Sequence, residues 1–546
     1  MTAWLRRRPT VTALFALASL TLVLGAGPAA AAARAPQPAA SSSGASSSAT
    51  SGSWTVYHGD AAGRGVAAPI AAVNTTTRAW TSPVLDGEIY GEPLVSSGRV
   101  YVATEDDTVY ALSAATGAVA WSAHLGSPVP STDLPCGNIT PTVGITGTPV
   151  IDQSRGEIFV VADELVNGKP AHVFAGLATA TGKVEVTQDV DPPGADTAAL
   201  LQRTGLTLDD GQVVFGMGGN YGDCAAYRGR VIAVKETGGT PKIFTVDAAA
   251  GESQGAVWMG GAAPVVDSSG DIWVTAGNGS VYSYSQPYDD SDSILELSPS
   301  LKLLQFFAPT TWATNNSQDL DMSTAPALLS DGQVILSGKS RIVYLLNGAH
   351  LGGIGGQQAA LGSACGQDID GGVAVQGTTV YLPCTSGIIA VQAVPSPAAL
   401  QLLWSSGTGG GPAIVAAGLV WTIGQNGVLY GLSPATGQVR QQTSIGAPAN
   451  HFPTPSVADG LLLAPTADQV VAFSAASTPP AATNTATNTG TPASQAPASH
   501  ASSPPAAAAP GGGGLPAGAI AGLVVAGLLV ISGGWLIWRR RTTGPG

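Results

Sequence analysis

Charge is scarce in this sequence, and basic charge is scarcest. Asp, Glu, Lys and Arg make up only 10% of its 546 residues, with 22 basic against 35 acidic. Seven of the basic residues lie in the flanks (Arg6–Arg8, Arg34 and Arg539–Arg541), while every acidic residue lies between 54 and 476. That central region therefore holds 35 acidic against 15 basic residues, a net charge of −20. A field of that sign repels polyphosphate and anionic lipid, which excludes nucleic acid as a direct partner. Cysteine is scarce too: there are four, none adjacent and none in a C-x-x-C, which argues against redox-relay or metal duty. No H-E-x-x-H is present, and Asp289, Asp290 and Asp292 lack the Gly and closing Glu of an EF-hand. His124, His172, His350 and His451 are scattered, and a lone His is more often packed than catalytic. The sequence assigns no catalytic residue.

Long apolar runs are confined to the two ends. Arg6–Arg8 precede an apolar stretch from Val11 to Gly25, with Ala-x-Ala near Ala31–Ala33. That is the pattern of a secretory signal peptide over residues 1–34, with 35–53 a Ser/Ala/Gly-rich lead-in. Residues 477–514 are rich in Pro, Ala, Ser, Thr and Gly and hold no Asp, Glu, Lys or Arg, a composition that cannot bury a core and reads as a stalk. Residues 515–538 are apolar and long enough to span a bilayer, and the basic tail 539–546 fixes the C-terminus inside. The expectation is a single-pass type I protein of the plasma membrane, with residues 54–476 on the extracellular side. Abundant Ala and Gly with few Lys suggest a GC-rich bacterial genome, such as an actinomycete's.

Between the ends the chain repeats itself. Gly91–Trp121 holds four short apolar runs separated by turn signals, which reads as one antiparallel sheet of four strands. Its first strand and turn, EPLVSSG (Glu92–Gly98), recur as TPVIDQSRG, LTLDDG, APVVDSSG, APALLSDG, GVAVQG, PAIVAAG and TPSVADG, each ending in Gly. A second strand follows every one, and the eight copies start 39 to 62 residues apart. Four strands per repeat at this spacing predict an all-β, eight-bladed β-propeller of antiparallel blades. The eighth repeat runs out after VVAF (Val470–Phe473), so Thr75–Val84 is expected to supply its missing strand and close the ring. The C-terminal apolar segment adds one transmembrane helix to that fold.

The Ala-Thr-Gly turn before Trp121, the eight repeats and the opening W-x-x-x-x-G-D (Trp54–Asp60) resemble the PQQ-like (pyrroloquinoline-quinone repeat) β-propeller superfamily. The resemblance covers Trp54 to Ala476. That superfamily includes quinoprotein alcohol dehydrogenases and a non-enzymatic outer-membrane assembly lipoprotein, so it implies the fold and leaves activity open. It also implies that Trp80, Trp121 and Trp404 brace neighbouring blades. The quinoprotein enzymes stack their cofactor over an adjacent-cysteine disulfide and use an acidic base with Ca²⁺. The adjacent cysteines are missing here, which argues against bound PQQ.

Four cysteines allow three connectivities. Disulfides are the default in an exported domain, and topology favours Cys365–Cys384, leaving Cys136 and Cys224 on the same face of the disc. The long loops (126–145, 218–229, 278–291, 309–324 and 361–370) mark that face as the working one. The residues just before each inner strand should ring the channel there: Glu88, Tyr90, Ile145, Gln202, Arg203, Trp258, Asp319, Asp321, Asp368, Asp370 and His451. An acidic ring with aromatic members suits a sugar, polyol or cation, although polar residues also line channels merely because they hold water. Ca²⁺ among Asp319, Asp321, Asp368 and Asp370 is chemically sensible; no other cofactor is expected. The function expected is that of a tethered binding or scaffold module for an envelope protein, peptide or cell-wall glycan, more a binder than an enzyme. A propeller enzyme acting on sugars or alcohols in the acidic channel is the alternative.

Overall fold

Eight short apolar strands, each closed by a tight turn, lie side by side around one axis in the computed structural model, which describes residues 52–475. They are Leu94–Ser96, Val150–Asp152, Thr207–Asp209, Val265–Val266, Ala327–Leu328, Ala374–Gln376, Ile414–Ala416 and Ser456–Ala458. Each opens an antiparallel sheet that runs outward strand by strand, giving eight four-stranded blades. In blade one the order is Leu94–Ser96, Arg99–Ala103, Thr108–Ser113 and Val119–His124. The middle strands are buried on both faces because the neighbouring blades cover them, so they read as apolar runs without alternation. The outermost strands Val119–His124, Val184–Asp189 and Val439–Ser444 alternate between half-buried and exposed, as a sheet rim wet on one face must.

The last repeat is completed from the other end of the chain. Trp80–Thr81 pairs antiparallel with Val470–Ser474, placing Trp80 opposite Ala472 and Thr81 opposite Val471. Two blades carry an additional short strand: Leu200–Leu201 pairs with blade three, and Gly353–Ile354 adds in parallel to the edge of blade four. Among the described residues no helix is long and apolar enough to cross a membrane. The predicted signal peptide, stalk and spanning segment at 515–538 lie outside the described residues.

The three tryptophans implied as braces act as such. Trp80 Nε1 donates to Ala114 O (2.8 Å), Trp121 Nε1 to Thr179 O (2.9 Å), and Trp404 Nε1 to Pro434 O (2.8 Å). Each indole bonds the third-to-fourth-strand turn of the next blade. The turn's glycine makes room for it: at Gly117, Gly182 and Gly437, all with φ near +70°, a Cβ would stand 2.5 Å from the ring. Trp121→Ala is expected to remove about 3 kcal/mol of stability, the cost of an indole-sized void. A urea midpoint unchanged from wild type would show that the blades do not depend on this brace.

The channel is plugged from one side by the N-terminal segment. Trp54 bridges Val95 of blade one, Ile151 N donates to Thr55 O, Val266 N to Ala61 O, and Val415 N to Gly65 O. Residues 54–65 thus cross the axis, using inner-strand N–H groups that would otherwise lack partners. Tyr57 and His58 stack with ring centroids 4.3 Å apart and are buried at the centre. Glu92 anchors the plug: one carboxylate oxygen accepts Trp54 Nε1 (3.1 Å) and the other accepts His58 N (2.7 Å). Residues 54–65 thus close the axis on that side.

Candidate functional site at the channel mouth

The other side carries the long loops, as expected from their lengths. Cys136–Cys224 ties loop 126–145 to loop 218–229, and Cys365–Cys384 fastens loop 361–370 to blade six; these are the two pairings that topology favours. No free cysteine remains among the described residues.

Arg203 stands at the centre of the mouth. It directly precedes blade three, with only 9% of its surface exposed, and its guanidinium lies 5.6 Å from the centroid of Tyr90 and 5.5 Å from that of Phe452. Among the described residues it has no hydrogen-bond acceptor and no ion-pair partner. Gly261 lies directly against it, where a Cβ would collide with the guanidinium. Burial lowers its pKa, opposed by the fields of Tyr90, Glu105 and Tyr57. A largely buried cation between two rings, whose N–H donors find no acceptor among the described residues, is an arrangement poised for an anion.

The aromatic band continues from Phe452 to Trp258, 5.9 Å away, and Lys339 lies 5.5 Å from the Trp258 ring. Unlike Arg203, Lys339 is fully engaged. Its ammonium sits 2.9 Å from Asp319 Oδ1 and 2.7 Å from Asp321 Oδ2. Burial lowers its pKa, but Asp321 and Asp319 more than reverse this and keep it charged. Asn278 completes the cluster, its backbone N–H donating to Asp321 Oδ1 (2.7 Å) and its side chain to Asp319 Oδ1 (2.8 Å).

The ring predicted from sequence is thus gathered only in part. Tyr90, Arg203, Trp258, Asp319 and Asp321 join one continuous surface, to which Phe452 and Lys339 belong as well. Glu88 is half-buried at the rim, its carboxyl raised by burial and by Asp468. His451 is exposed, 6.4 Å from Phe452. Ile145 is packed in the core, and Gln202 turns inward to donate to Thr204 O (2.7 Å). Asp368 is exposed, and Asp370 is buried and accepts the Ser323 hydroxyl; burial lifts its pKa to about 6.

The four aspartates put forward for Ca²⁺ do not assemble as one ligand set. Among the described residues, Asp267, Asp271 and Glu296 are the acidic group whose ligand atoms come close enough to share an ion. At the mouth, the Lys339 ammonium takes the place a cation would have between Asp319 and Asp321. The residues likewise do not fit the quinone and calcium that the resemblance implies. The disulfides join residues 88 and 19 positions apart, so no adjacent-cysteine platform exists, and no orphaned carboxylate at Asp319 or Asp321 awaits a metal.

Lys339 escaped the sequence reading because it follows a second strand, whereas only positions before inner strands were considered. Phe452 adjoins His451 and could have been found by the same rule. A further motif was open to reading: Gly251–Gly255 has the spacing G-x-S-x-G. That spacing makes a nucleophile elbow only between a strand and a helix. Here it lies in an irregular loop where Ser280 N donates to Ser253 O (3.1 Å) and Ser253 N donates to the Ser280 hydroxyl oxygen (2.9 Å), which is structural.

Beneath the rim, between blades one and two, Asp107 is wholly buried and both its carboxyl oxygens lack partners. Burial, reinforced by Asp163, Glu164 and Glu105, pushes its pKa up to about 9. An acid whose folded pKa is raised binds its proton more tightly folded than unfolded. Its contribution is intact below pH 4, and stability falls by about 1.4 kcal/mol per pH unit between the unfolded and folded values. Asp107→Asn should therefore match wild type near pH 4 and exceed it increasingly toward pH 8. Parallel urea midpoints across that range would contradict the assignment.

All these features define an eight-bladed propeller of four-stranded antiparallel blades with a cation-centred mouth. Comparison with known proteins agrees on the architecture. The family described as "Outer membrane protein assembly factor BamB" matches residues 66–291. Among solved structures, the quinohemoprotein alcohol dehydrogenase of Comamonas testosteroni is similar at a TM-score of 0.59 and 15% identity, over 78% of this chain and 80% of that one. The quinohemoprotein alcohol dehydrogenase ADHIIG of Pseudomonas putida HK5 gives 0.57 and 14%, with the same coverage. A europium-containing methanol dehydrogenase gives 0.56 and 14%, over 78% of this chain and 98% of its own. At these identities the likeness shows the fold alone. No curated protein matches the sequence.

Proposed function

We propose that this propeller is a tethered extracellular binding module whose mouth captures a peptide bearing a free carboxylate. The observation that carries the reading is Arg203: a buried guanidinium, flanked by Tyr90 and Phe452, with no acceptor of its own. A carboxylate can take its fork in bidentate fashion, while the aromatic band Tyr90–Phe452–Trp258 receives the apolar remainder of the ligand. The field of the domain narrows the class. A region of net charge −20 repels a polyanion such as an acidic glycan, so a carboxylate ligand must bring compensating positive charge. A peptide end with a nearby amine or basic side chain does so, and exposed Asp319 and Asp368 stand at the rim to meet it. Tyr221, Tyr282 and Tyr284, on the long loops of the same face, are more than half exposed and extend the contact surface.

The proposal keeps the tether expected from the flanks: residues 1–34 as signal and 515–538 as anchor in the plasma membrane. Its partner is an envelope peptide or protein, and no nucleic acid. The strand Val470–Ser474 runs from the mouth side to the opposite face, where Ala475 N bonds Gly460 O, so the chain leaves the propeller from behind the site. Panning a random peptide library with free C-termini against the purified protein tests the reading. Enriched peptides should lose binding on C-terminal amidation; sequences indifferent to amidation would overturn it.

The second reading is a quinoprotein-like enzyme. What supports it is the likeness of the fold to alcohol and methanol dehydrogenases; the Lys339 ammonium between Asp319 and Asp321 speaks against a metal there. The reading predicts stabilisation by PQQ with Ca²⁺ and dye-linked alcohol oxidation.

A further inference from the structure

A hollow opens at one side of the mouth, between the two loops that Cys136–Cys224 ties together. Its volume is about 120 Å³, and Leu134, Ile139, Val143, Leu201, Asn220 and Tyr221 line it. Loop 126–145 builds the apolar part by folding as a small ribbon. Val129–Pro130 pairs antiparallel with Thr142–Val143, and Ser131 N donates to Pro141 O (2.9 Å). The ribbon packs Ile139 and Val143 onto Leu201 at the entry to blade three, and all three are buried. Cys136 forms part of the wall, so its disulfide holds the two loops together around the hollow. Tyr221, 70% exposed, stands at the opening.

Two observations tie this hollow to a ligand at the mouth. The first is Tyr90, which packs against the Ile139, Val143 and Leu201 cluster and also has the Arg203 guanidinium 5.6 Å from its ring centroid. Leu201 itself lies two residues before Arg203. One ring therefore touches both the hollow and the cation. The second is Asn220, only 4% exposed. Its side-chain nitrogen donates to Ala198 O (2.9 Å), which sets the orientation of the amide, and its Oδ1 accepts no hydrogen bond among the described residues. That oxygen lies near Gly137, also in the lining, 3.9 Å from where a Cβ would stand. A buried amide oxygen without a donor, in the wall of a largely apolar hollow, is short of one N–H.

We propose that this hollow receives the terminal side chain of the captured peptide and selects a branched aliphatic residue, with Asn220 Oδ1 accepting a backbone N–H of the ligand. The inference rests on Arg203 as the partner of the carboxylate and adds which peptides the mouth takes. Cavities of roughly 150 Å³ lined by aliphatic side chains bind benzene, so a hollow of this size suits Val, Ile or Leu. No charged residue lines it, and a Lys or Glu side chain would enter without a partner.

Calorimetry on the full chain with the peptide acids Lys-Ala-Ala-X, where X is Gly, Val, Leu, Phe or Lys, tests the inference. The Leu acid should bind about tenfold or more tighter than the Gly acid, the effect of burying a branched aliphatic side chain. The Lys acid should bind no better than the Gly acid. Methylating the last peptide nitrogen of the Leu acid should cost about fivefold or more, since Asn220 then loses its donor. Ile139→Ala, which widens the hollow, should move the preference from Leu to Phe, a gain that a misfolded variant cannot show. Leu201→Phe, which fills it, should bring the Leu acid down to the Gly acid. Acids that bind wild type and not Arg203→Met, but with one affinity whatever their last residue, would overturn the hollow and leave the carboxylate reading standing. Binding of no acid, or equal binding of acids and their amides, would overturn both.

Discussion

Replacing Arg203 by methionine is expected to abolish peptide capture while leaving the propeller as stable as before, or more so. The two effects have opposite physical origins. In the free protein the guanidinium is desolvated without an acceptor, so its burial costs stability that only the ring contacts with Tyr90 and Phe452 offset. A methionine of similar length removes that cost and keeps the packing. In the complex, the same substitution leaves a buried carboxylate facing an apolar side chain, a loss of about 2–5 kcal/mol, or roughly 30- to several-thousand-fold in affinity. Arg203→Lys should fall between, because an ammonium restores charge without the planar fork. Melting temperature and peptide affinity measured on the same preparations decide the matter. A fall in both would mean that Arg203 is structural and that the mouth owes its shape to it.

Truncating Glu92 should damage the fold severely without touching the mouth's own side chains. Its two oxygens accept Trp54 Nε1 and His58 N, the bonds that seat the N-terminal plug in the axis. Glu92→Ala strands both buried donors and leaves a void, an expected cost of about 4 kcal/mol or more. Glu92→Gln can accept only one of the two, since its amide nitrogen must face the other donor, and should cost about half as much. Burial pushes the Glu92 carboxyl well above its ordinary range. Stability should therefore fall as pH rises above the ordinary carboxyl range, because the unfolded chain releases the proton that the folded state keeps. Chemical denaturation of the three proteins at pH 6 and pH 9 checks the order. Equal stability of the Ala and Gln variants would show that the carboxyl fills space and holds nothing.

The fold was legible because a propeller repeats its own instructions. Eight apolar strands each closed by Gly, an Ala-Thr-Gly turn four residues before Trp121, and a missing strand at one end predict the blades and their closure. The cysteine positions favoured the two pairings found, and the long loops lie together on one face. The site was legible only as a set of positions. That Arg203 is unpaired depends on its meeting Tyr90 and Phe452, each more than one hundred residues away in sequence, and that Lys339 is consumed by Asp319 and Asp321 depends on how the loop before blade five folds back on it. The expected calcium quartet failed for the same reason: composition showed four aspartates but not the lysine between them. The plug escaped notice because residues 54–65 carry no strand pattern of their own; they borrow the N–H groups of other blades.

The account stands or falls on whether the mouth takes a carboxylate through Arg203 without a cofactor. Thermal unfolding of the intact protein in the presence of a short C-terminal-acid peptide from the panned library, its amide, and PQQ with Ca²⁺ tests this most directly. A ligand that binds the native state raises the melting temperature in proportion to its occupancy. The acid peptide should stabilise wild type dose-dependently and not Arg203→Met, and its amide should stabilise neither. Any rise with Ca²⁺ alone that persists in Arg203→Met is independent of the anion site at the mouth. Stabilisation by PQQ beyond that of Ca²⁺, with no response to the acid peptide, would contradict the binding account and assign the mouth to quinone chemistry.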